Sequence, residues 1–169
     1  MKKPTVFLIA AITADGFIAK TRYHFADWTS KEDKKKFVEL TKEAGAMIMG
    51  STTFSLFPAP LKGRKHYVYT SKTRQSDDDQ VVFTSKPPRE LIDSIAAEGF
   101  KQIAIIGGQH VYDLFLTENL IDEVYLTVEP KLFGSGITLT TQLIDTDLAL
   151  IRSTNLGEHT VMLHYRVVK

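Results

Sequence analysis

Short apolar runs rich in β-branched residues alternate along this chain with segments of helical periodicity, and that alternation restricts the fold more than any other feature. The runs Thr5 to Ile12, Ala46 to Met49, Tyr67 to Thr70, Val81 to Phe83, Gln102 to Ile106 and Val124 to Val128 are brief and mostly apolar throughout, as strands covered on both faces are. Helical patterns fall between them. One opens after Trp28 and runs to Ala44, one starts at Ser51 and reaches Phe57, one runs from the Pro87-Pro88 pair to Glu98 with Gly99 as its stop, and one covers Val111 to Leu116. Ser51, Thr52 and Thr53 offer hydroxyl caps to the second. The last two segments, Leu148 to Ser153 and Thr160 to Val168, alternate about a turn at Asn155 to Glu158 and read as a hairpin. The pattern predicts an α/β fold: a mostly parallel central sheet of about eight strands, an antiparallel C-terminal hairpin and about four flanking helices. Residues 1–169 form a single domain on this reading.

Composition narrows the function classes. The chain has no cysteine, which excludes disulfides, thiolate metal sites and cysteine nucleophiles and fits a cytoplasmic location. With 21 basic and 20 acidic residues the net charge is +1, so neither nucleic acid nor a membrane surface is an expected partner. Lys2 and Lys3 before the apolar run Val6 to Ile12 imitate a signal peptide, but the run is short and reads better as a buried strand. The histidines His24, His66, His159 and His164 show no metal-ligand spacing and read as surface or strand residues, so no metal is expected. The lysine run Lys34 to Lys36 reads as a solvated helix face.

Two features point to chemistry. On the first helix the apolar stripe runs Phe37, Leu40, Thr41, Ala44, and one turn back from Phe37 is Asp33, which places an acid on the inward face. A carboxylate facing an apolar wall loses hydration, and a polar ligand can restore the pairing. The competing reading is local: Thr29 or Ser30 followed three residues later by Glu32 or Asp33 is a capping pattern, and in one register Asp33 belongs to the cap. The second feature is a pair of glycine turns from strand to helix, Met49 to Thr53 and Ile106 to Tyr112, where free amides and absent side chains suit a diphosphate. Neither the common dinucleotide fingerprint nor a P-loop is present.

Several segments together resemble the dihydrofolate reductase family: Phe7 to Ile12, Trp28 with Asp33 and Phe37, Met47 to Phe54, Leu61 to Lys65, Ile105 to Tyr112 and Asp122 to Thr127. The resemblance spans nearly all of Pro4 to Val168 and implies a dihydrofolate-reductase-like fold. It also implies NADPH-dependent reduction of 7,8-dihydrofolate, with hydride transfer to C6 and protonation of N5. Asp33 then matches the acid that grips the pterin and Thr127 the threonine behind it. Ile9, Ala10, Phe37, Phe57 and Leu61 match the apolar substrate walls, and Arg64 the arginine that pairs with the glutamate tail. On the cofactor side, Ala11 and Ile18 would flank the nicotinamide. Gly50, Ser51, Thr52 and Thr53, with Ile106, Gly107, Gly108, Gln109, His110, Val111 and Tyr112, would hold diphosphate and ribose, while Tyr69, Thr70 and Ser71 surround the adenosine. The family's cis peptide is expected between Gly107 and Gly108. Burial should raise the proton affinity of Asp33, and the loop from Asp15 to Trp28 is the candidate lid. The protein is expected to act as a monomer or homodimer on a small molecule.

Three departures qualify the resemblance, one being a longer loop before Trp28 with Asp27 where proline is usual. Ser51 stands where the family usually offers an arginine to the 2′-phosphate, leaving Lys72, Arg74 and His110 to favour NADPH over NADH. Thr13 to Ala19, with Asp15-Gly16, resembles instead the reductase domain of riboflavin biosynthesis, which has the same fold and reduces a ribosylamino-pyrimidine. Asp33 and Arg64 together favour folate. Asp15 itself reads as a turn residue. A third alternative is a non-catalytic NADPH-binding module.

Overall fold

A parallel sheet must bring each strand back to the same side of the molecule, and here four helices make four of the five returns, a loop making the fifth. The computed structural model describes residues 3–169, so Lys2 of the N-terminal basic pair lies outside the described residues. The order of elements is β1 (Thr5–Thr13), β2 (Phe17–Ala19), α1 (Lys31–Ala44), β3 (Ala46–Gly50), α2 (Ser51–Ser55), β4 (Lys65–Tyr69), β5 (Val81–Thr84), α3 (Pro88–Ala97), β6 (Gln102–Ile105), α4 (Gln109–Thr117), β7 (Glu123–Glu129), β8 (Ile137–Thr138), β9 (Leu148–Asn155) and β10 (Val161–Val167). The main sheet has eight strands in the order β5-β4-β3-β6-β1-β7-β10-β9. It is parallel from β5 to β7, and β10 then runs antiparallel to both β7 and β9.

Core side chains divide between the two faces of the sheet. Val6, Leu8, Ile48, Ile103 and Ile105 pack with Ile92 and Ile95 of α3 and Val111 and Phe115 of α4, while Phe7, Ile9, Met47 and Met49 meet Phe37 and Leu40 of α1. Both sets come from alternate positions of the same strands, which is why the runs are apolar throughout. Helix ends follow local chemistry. Ser30 caps α1 by accepting the Asp33 N–H, and Gly45, with φ of 73°, closes it by donating to Thr41 O.

The local reading departs from the structure where elements are short. Helix α2 stops at Ser55 instead of Phe57, and its cap position is Gly50, so the hydroxyls of Ser51, Thr52 and Thr53 do not cap it. Helix α4 begins at Gln109, two residues before the apolar run starts. The segment Asp15 to Trp28 contains β2, which pairs with β8 in a second small sheet, and a 3-10 turn at Ala26–Trp28. Elements of two or three residues carry no periodicity to detect.

Asp15 is more than a turn former. Its carboxylate accepts hydrogen bonds from Thr13 Oγ1 at 2.6 Å and from the amides of Phe133 (3.1 Å) and Gly134 (2.7 Å), stitching the β1–β2 turn to the segment before β8. The Thr13 hydroxyl and these amides hold its pKa below the ordinary aspartate value. A depressed pKa contributes stability above the unfolded value and loses it as pH falls through the folded one. Asp15→Asn should therefore be less stable than wild type near neutral pH, with the gap closing as the wild-type Asp15 carboxylate protonates below about pH 4. Denaturant unfolding at a series of pH values checks this; a gap that does not depend on pH would contradict it.

Candidate active site

The C-terminal ends of β1, β3, β4 and β6 point to one edge of the sheet, where α/β folds place their ligand crevice. A cavity of about 1250 Å³ opens there. Its inner wall is Ile9 and Ala10 from β1, Asp33 and Phe37 from α1, and Phe57 and Leu61 from the loop after α2. Its other end is bounded by Ala11, Ile18, Gly50, Ser51, Thr52, Thr53, Tyr69, Thr70 and Ser71, together with the continuous stretch Ile106 to Tyr112. The residues expected at the substrate and cofactor ends thus share one continuous space, with three exceptions: Thr127, Arg64 and Lys72.

At the glycine-lined end of the cavity the two glycine turns touch. Gly50 donates its N–H to Gly107 O at 2.8 Å, and the Gly107–Gly108 peptide is cis, as the resemblance implied. A Cβ on Gly108 would lie 3.3 Å from Thr53 Oγ1, and one on Gly50 would lie 3.4 Å from Val111 Cγ2, so side chains here would fill the cradle between the turns. Tyr112, at the back, donates its hydroxyl to Ile9 O at 2.7 Å and ties α4 to β1. Gln109 does not face a ligand with its amide: Nε2 donates to Thr138 O at 2.8 Å, anchoring β8. Lys72 lies outside the main cavity in a polar recess of about 220 Å³ with Arg74, Thr84 and Ser85; the recess shares Thr70, Ser71 and Ser85 with the main cavity.

At the opposite end of the cavity both readings of Asp33 hold for different atoms. Its N–H belongs to the helix cap, bonded to Ser30 Oγ at 3.1 Å, while its side chain faces the cavity and is 9% exposed. Burial raises its pKa; the hydroxyls of Thr127 and Thr29 oppose the rise and the nearby Glu129 adds to it. Thr127 is fully buried behind the wall, as expected for a backing residue, and its Oγ1 has no hydrogen-bond partner. Its contact with Asp33 is therefore looser than a formed hydrogen bond. Trp28 presents a second buried and unpartnered donor, Nε1, at the same end.

Arg64 departs from expectation. Its guanidinium is buried, donating to Thr41 Oγ1 at 3.0 Å and to Lys62 O at 3.2 Å, and it does not line the cavity. A loop arginine matched by sequence position carries no information on which way the side chain turns. The cations that do line the cavity are Arg22, Lys34 and Lys86. Arg22 Nη2 reaches Thr52 Oγ1 at 3.2 Å, bridging the β2 loop to α2. Lys34 lies beside Asp33 and was legible only as part of a solvated lysine run. His66, in contrast, is fully buried in β4, where its Nε2 accepts the Leu61 N–H at 3.0 Å and burial lowers its pKa. No cluster of metal-binding side chains occurs among the described residues.

Fold and site together define an α/β domain of the dihydrofolate-reductase-like class, with an acid at one end of a cleft and a glycine-lined cradle at the other. The family model described as RibD C-terminal domain matches residues 4–162, and the chain belongs to that family. It is 29% identical to the uncharacterized protein YwjB of Bacillus subtilis (strain 168) across 98% of both chains. It is 33% identical to a putative dihydrofolate reductase of Caenorhabditis elegans, covering 78% of this chain and 75% of that one. Among solved structures, a Thermotoga maritima diaminohydroxyphosphoribosylaminopyrimidine deaminase/5-amino-6-(5-phosphoribosylamino)uracil reductase superposes with a TM-score of 0.78 at 16% identity, over 98% of this chain and 57% of that one. Family membership thus favours the riboflavin-type reductase over the dihydrofolate reductase that Asp33 and Arg64 together implied. No helix among the described residues is long and apolar enough to cross a membrane.

The raised pKa of Asp33 carries a sign for stability. The native state holds this proton more tightly than the unfolded chain, so stability falls as pH rises from the unfolded pKa through the folded one. Asp33→Asn, which mimics the protonated form, should be more stable than wild type near pH 7, with the advantage shrinking on acidification. Thermal melts at paired pH values test this; an Asn variant less stable at pH 7 would show that the charge is well compensated.

Proposed function

We propose that this chain is an NADPH-dependent reductase of a small substrate that presents an amino-pyrimidine edge to Asp33, the phosphoribosylamino-pyrimidine of riboflavin biosynthesis being favoured. One observation carries the reading: a buried carboxyl with raised proton affinity stands in the same cavity as the paired glycine turns. When bound, NADPH would supply the hydride, with its diphosphate held by the turns at Gly50 and Gly108 and its nicotinamide flanked by Ala11 and Ile18. The chain's own residues orient the two partners, exclude water with the Phe37, Phe57 and Leu61 wall, and hold a proton at the Asp33 carboxyl. Gly50 and Gly108 fit such a cofactor because a Cβ at either would occupy the cradle.

The choice of substrate rests on family membership and on where the cations lie. A glutamate tail needs an arginine at the cavity wall, and Arg64 is bonded elsewhere; a ribose phosphate needs cations, and Arg22 and Lys34 face the cavity. For the cofactor's 2′-phosphate, Lys72 and Arg74 in the polar recess replace the arginine that Ser51 does not supply. Dihydrofolate remains the second reading, favoured by the placement of Thr127 near Asp33 and by the similarity to the Caenorhabditis elegans relative.

Loss of nicotinamide absorbance with purified protein, NADPH and each substrate in turn separates these readings. The phosphoribosylamino-pyrimidine should be reduced, and Arg22→Ala or Lys34→Ala should raise its KM on the order of 10-fold, with little change for the dephosphorylated compound. Turnover of dihydrofolate alone would reverse the substrate assignment. NADPH binding without oxidation by either would identify a binding module. Lys72→Ala combined with Arg74→Ala should lower the preference for NADPH over NADH.

A further inference from the structure

The opening of α1 has the spacing of a reciprocal cap, yet only half of one forms. In a complete capping box the first residue accepts the amide of the fourth, and the fourth residue's side chain accepts the amide of the first. Here the first half is present: Asp33 N–H donates to Ser30 Oγ at 3.1 Å. The second half is diverted. Ser30 N–H donates to Glu129 Oε1 at 2.8 Å, and Ser30 Oγ–H donates to the same oxygen at 2.9 Å. The other oxygen, Oε2, accepts Thr160 Oγ1 at 3.1 Å. Glu129 ends β7, lies two residues past Thr127 and is only 2% exposed.

We propose that Glu129 is the positioning residue of the site: by occupying the Ser30 amide it takes the place of Asp33 in the cap and leaves the Asp33 carboxyl turned into the cavity. The inference rests on Asp33 being the functional acid of the proposed reaction. A carboxylate with three donors on two oxygens is held firmly, because any rotation would leave a buried donor unpaired. Those donors come from α1 and from the residue preceding β10, so Glu129 also locks the helix start to the C-terminal hairpin. With Ser30 N–H engaged, the amide donor its own helix would offer Asp33 in a capping box is taken, and the acid faces the hydroxyls of Thr29 and Thr127 instead.

The charged and titratable groups around Asp33 are Glu129 from β7, Lys34 on its own helix and Tyr112 from α4. Tyr112 stays neutral, since burial pushes its pKa up. Glu129 raises the proton affinity of Asp33 and Lys34 lowers it, with Glu129 the stronger of the two. The same glutamate thus aims the acid and favours its protonated form. Its position invites this pairing: β7 lies directly beside β1, so the last residue of β7 reaches the loop that enters α1.

Carbon-13 NMR of the protein labelled at aspartate carboxyls measures the titration of Asp33 without cofactor or substrate, the signal being assigned by its loss in Asp33→Asn. Glu129→Gln keeps an acceptor for Ser30 and removes the charge; the Asp33 midpoint should fall. Glu129→Ala frees the Ser30 amide to bind Asp33 as well, so the midpoint should fall further. Should Glu129→Ala fail to fold, Glu129→Gln alone decides. An unchanged Asp33 midpoint in Glu129→Gln, or one in Glu129→Ala no lower than in Glu129→Gln, would overturn the proposal. Because no turnover is read, this outcome is independent of which substrate, if any, is reduced.

Discussion

A parallel sheet buried on both faces leaves its strand ends as the natural place for a ligand to meet the backbone. β1, β3, β4 and β6 end together, and the main cavity opens at that edge. The constraint acts again where the chain leaves the strands. Two of the four ends turn into helices through glycine, and the turns lie so close that the Gly50 amide bonds the Gly107 carbonyl at 2.8 Å. The turns meet at side-chain-free positions, where a Cβ on Gly50 would lie 3.9 Å from Gly108 N. The cradle between the turns is therefore a by-product of sheet geometry combined with two small residues.

The other end of the cavity is governed by desolvation. Asp33 is largely buried on a wall it shares with Phe37, Ile9 and the loop after α2, and its hydroxyl neighbours return only part of the lost hydration. Such a group weakens the fold in its charged form and suits a role in proton handling. Glu129 makes this possible by satisfying the helix start in its place. The arrangement shows how a capping pattern and a cavity-facing acid coexist at one residue: the amide belongs to the helix and the side chain to the cavity.

Much of the site was legible locally. The inward face of Asp33 followed from a period of 3.6, and the two glycine turns followed from their place between strand and helix. Arg64 was not legible, because its side chain is claimed by Thr41, 23 residues earlier in the chain, instead of by the cavity. Arg22 and Lys34 were passed over for the opposite reason: a loop cation and a member of a lysine run carry no local mark of what they face. β2, β8 and the 3-10 turn were invisible because two or three residues show no period.

The order of apolar runs and helical stripes decided the α/β class, the strand count and the position of the crevice, since side-chain periodicity is a property of neighbouring residues and survives in one dimension. Which cations line the cavity, and whether the amide of Ser30 is taken by Asp33 or by Glu129, were decided by the tertiary structure alone. Those outcomes depend on donors and acceptors that lie 99 residues apart in the case of Ser30 and Glu129, and a chain read residue by residue holds no distance between them.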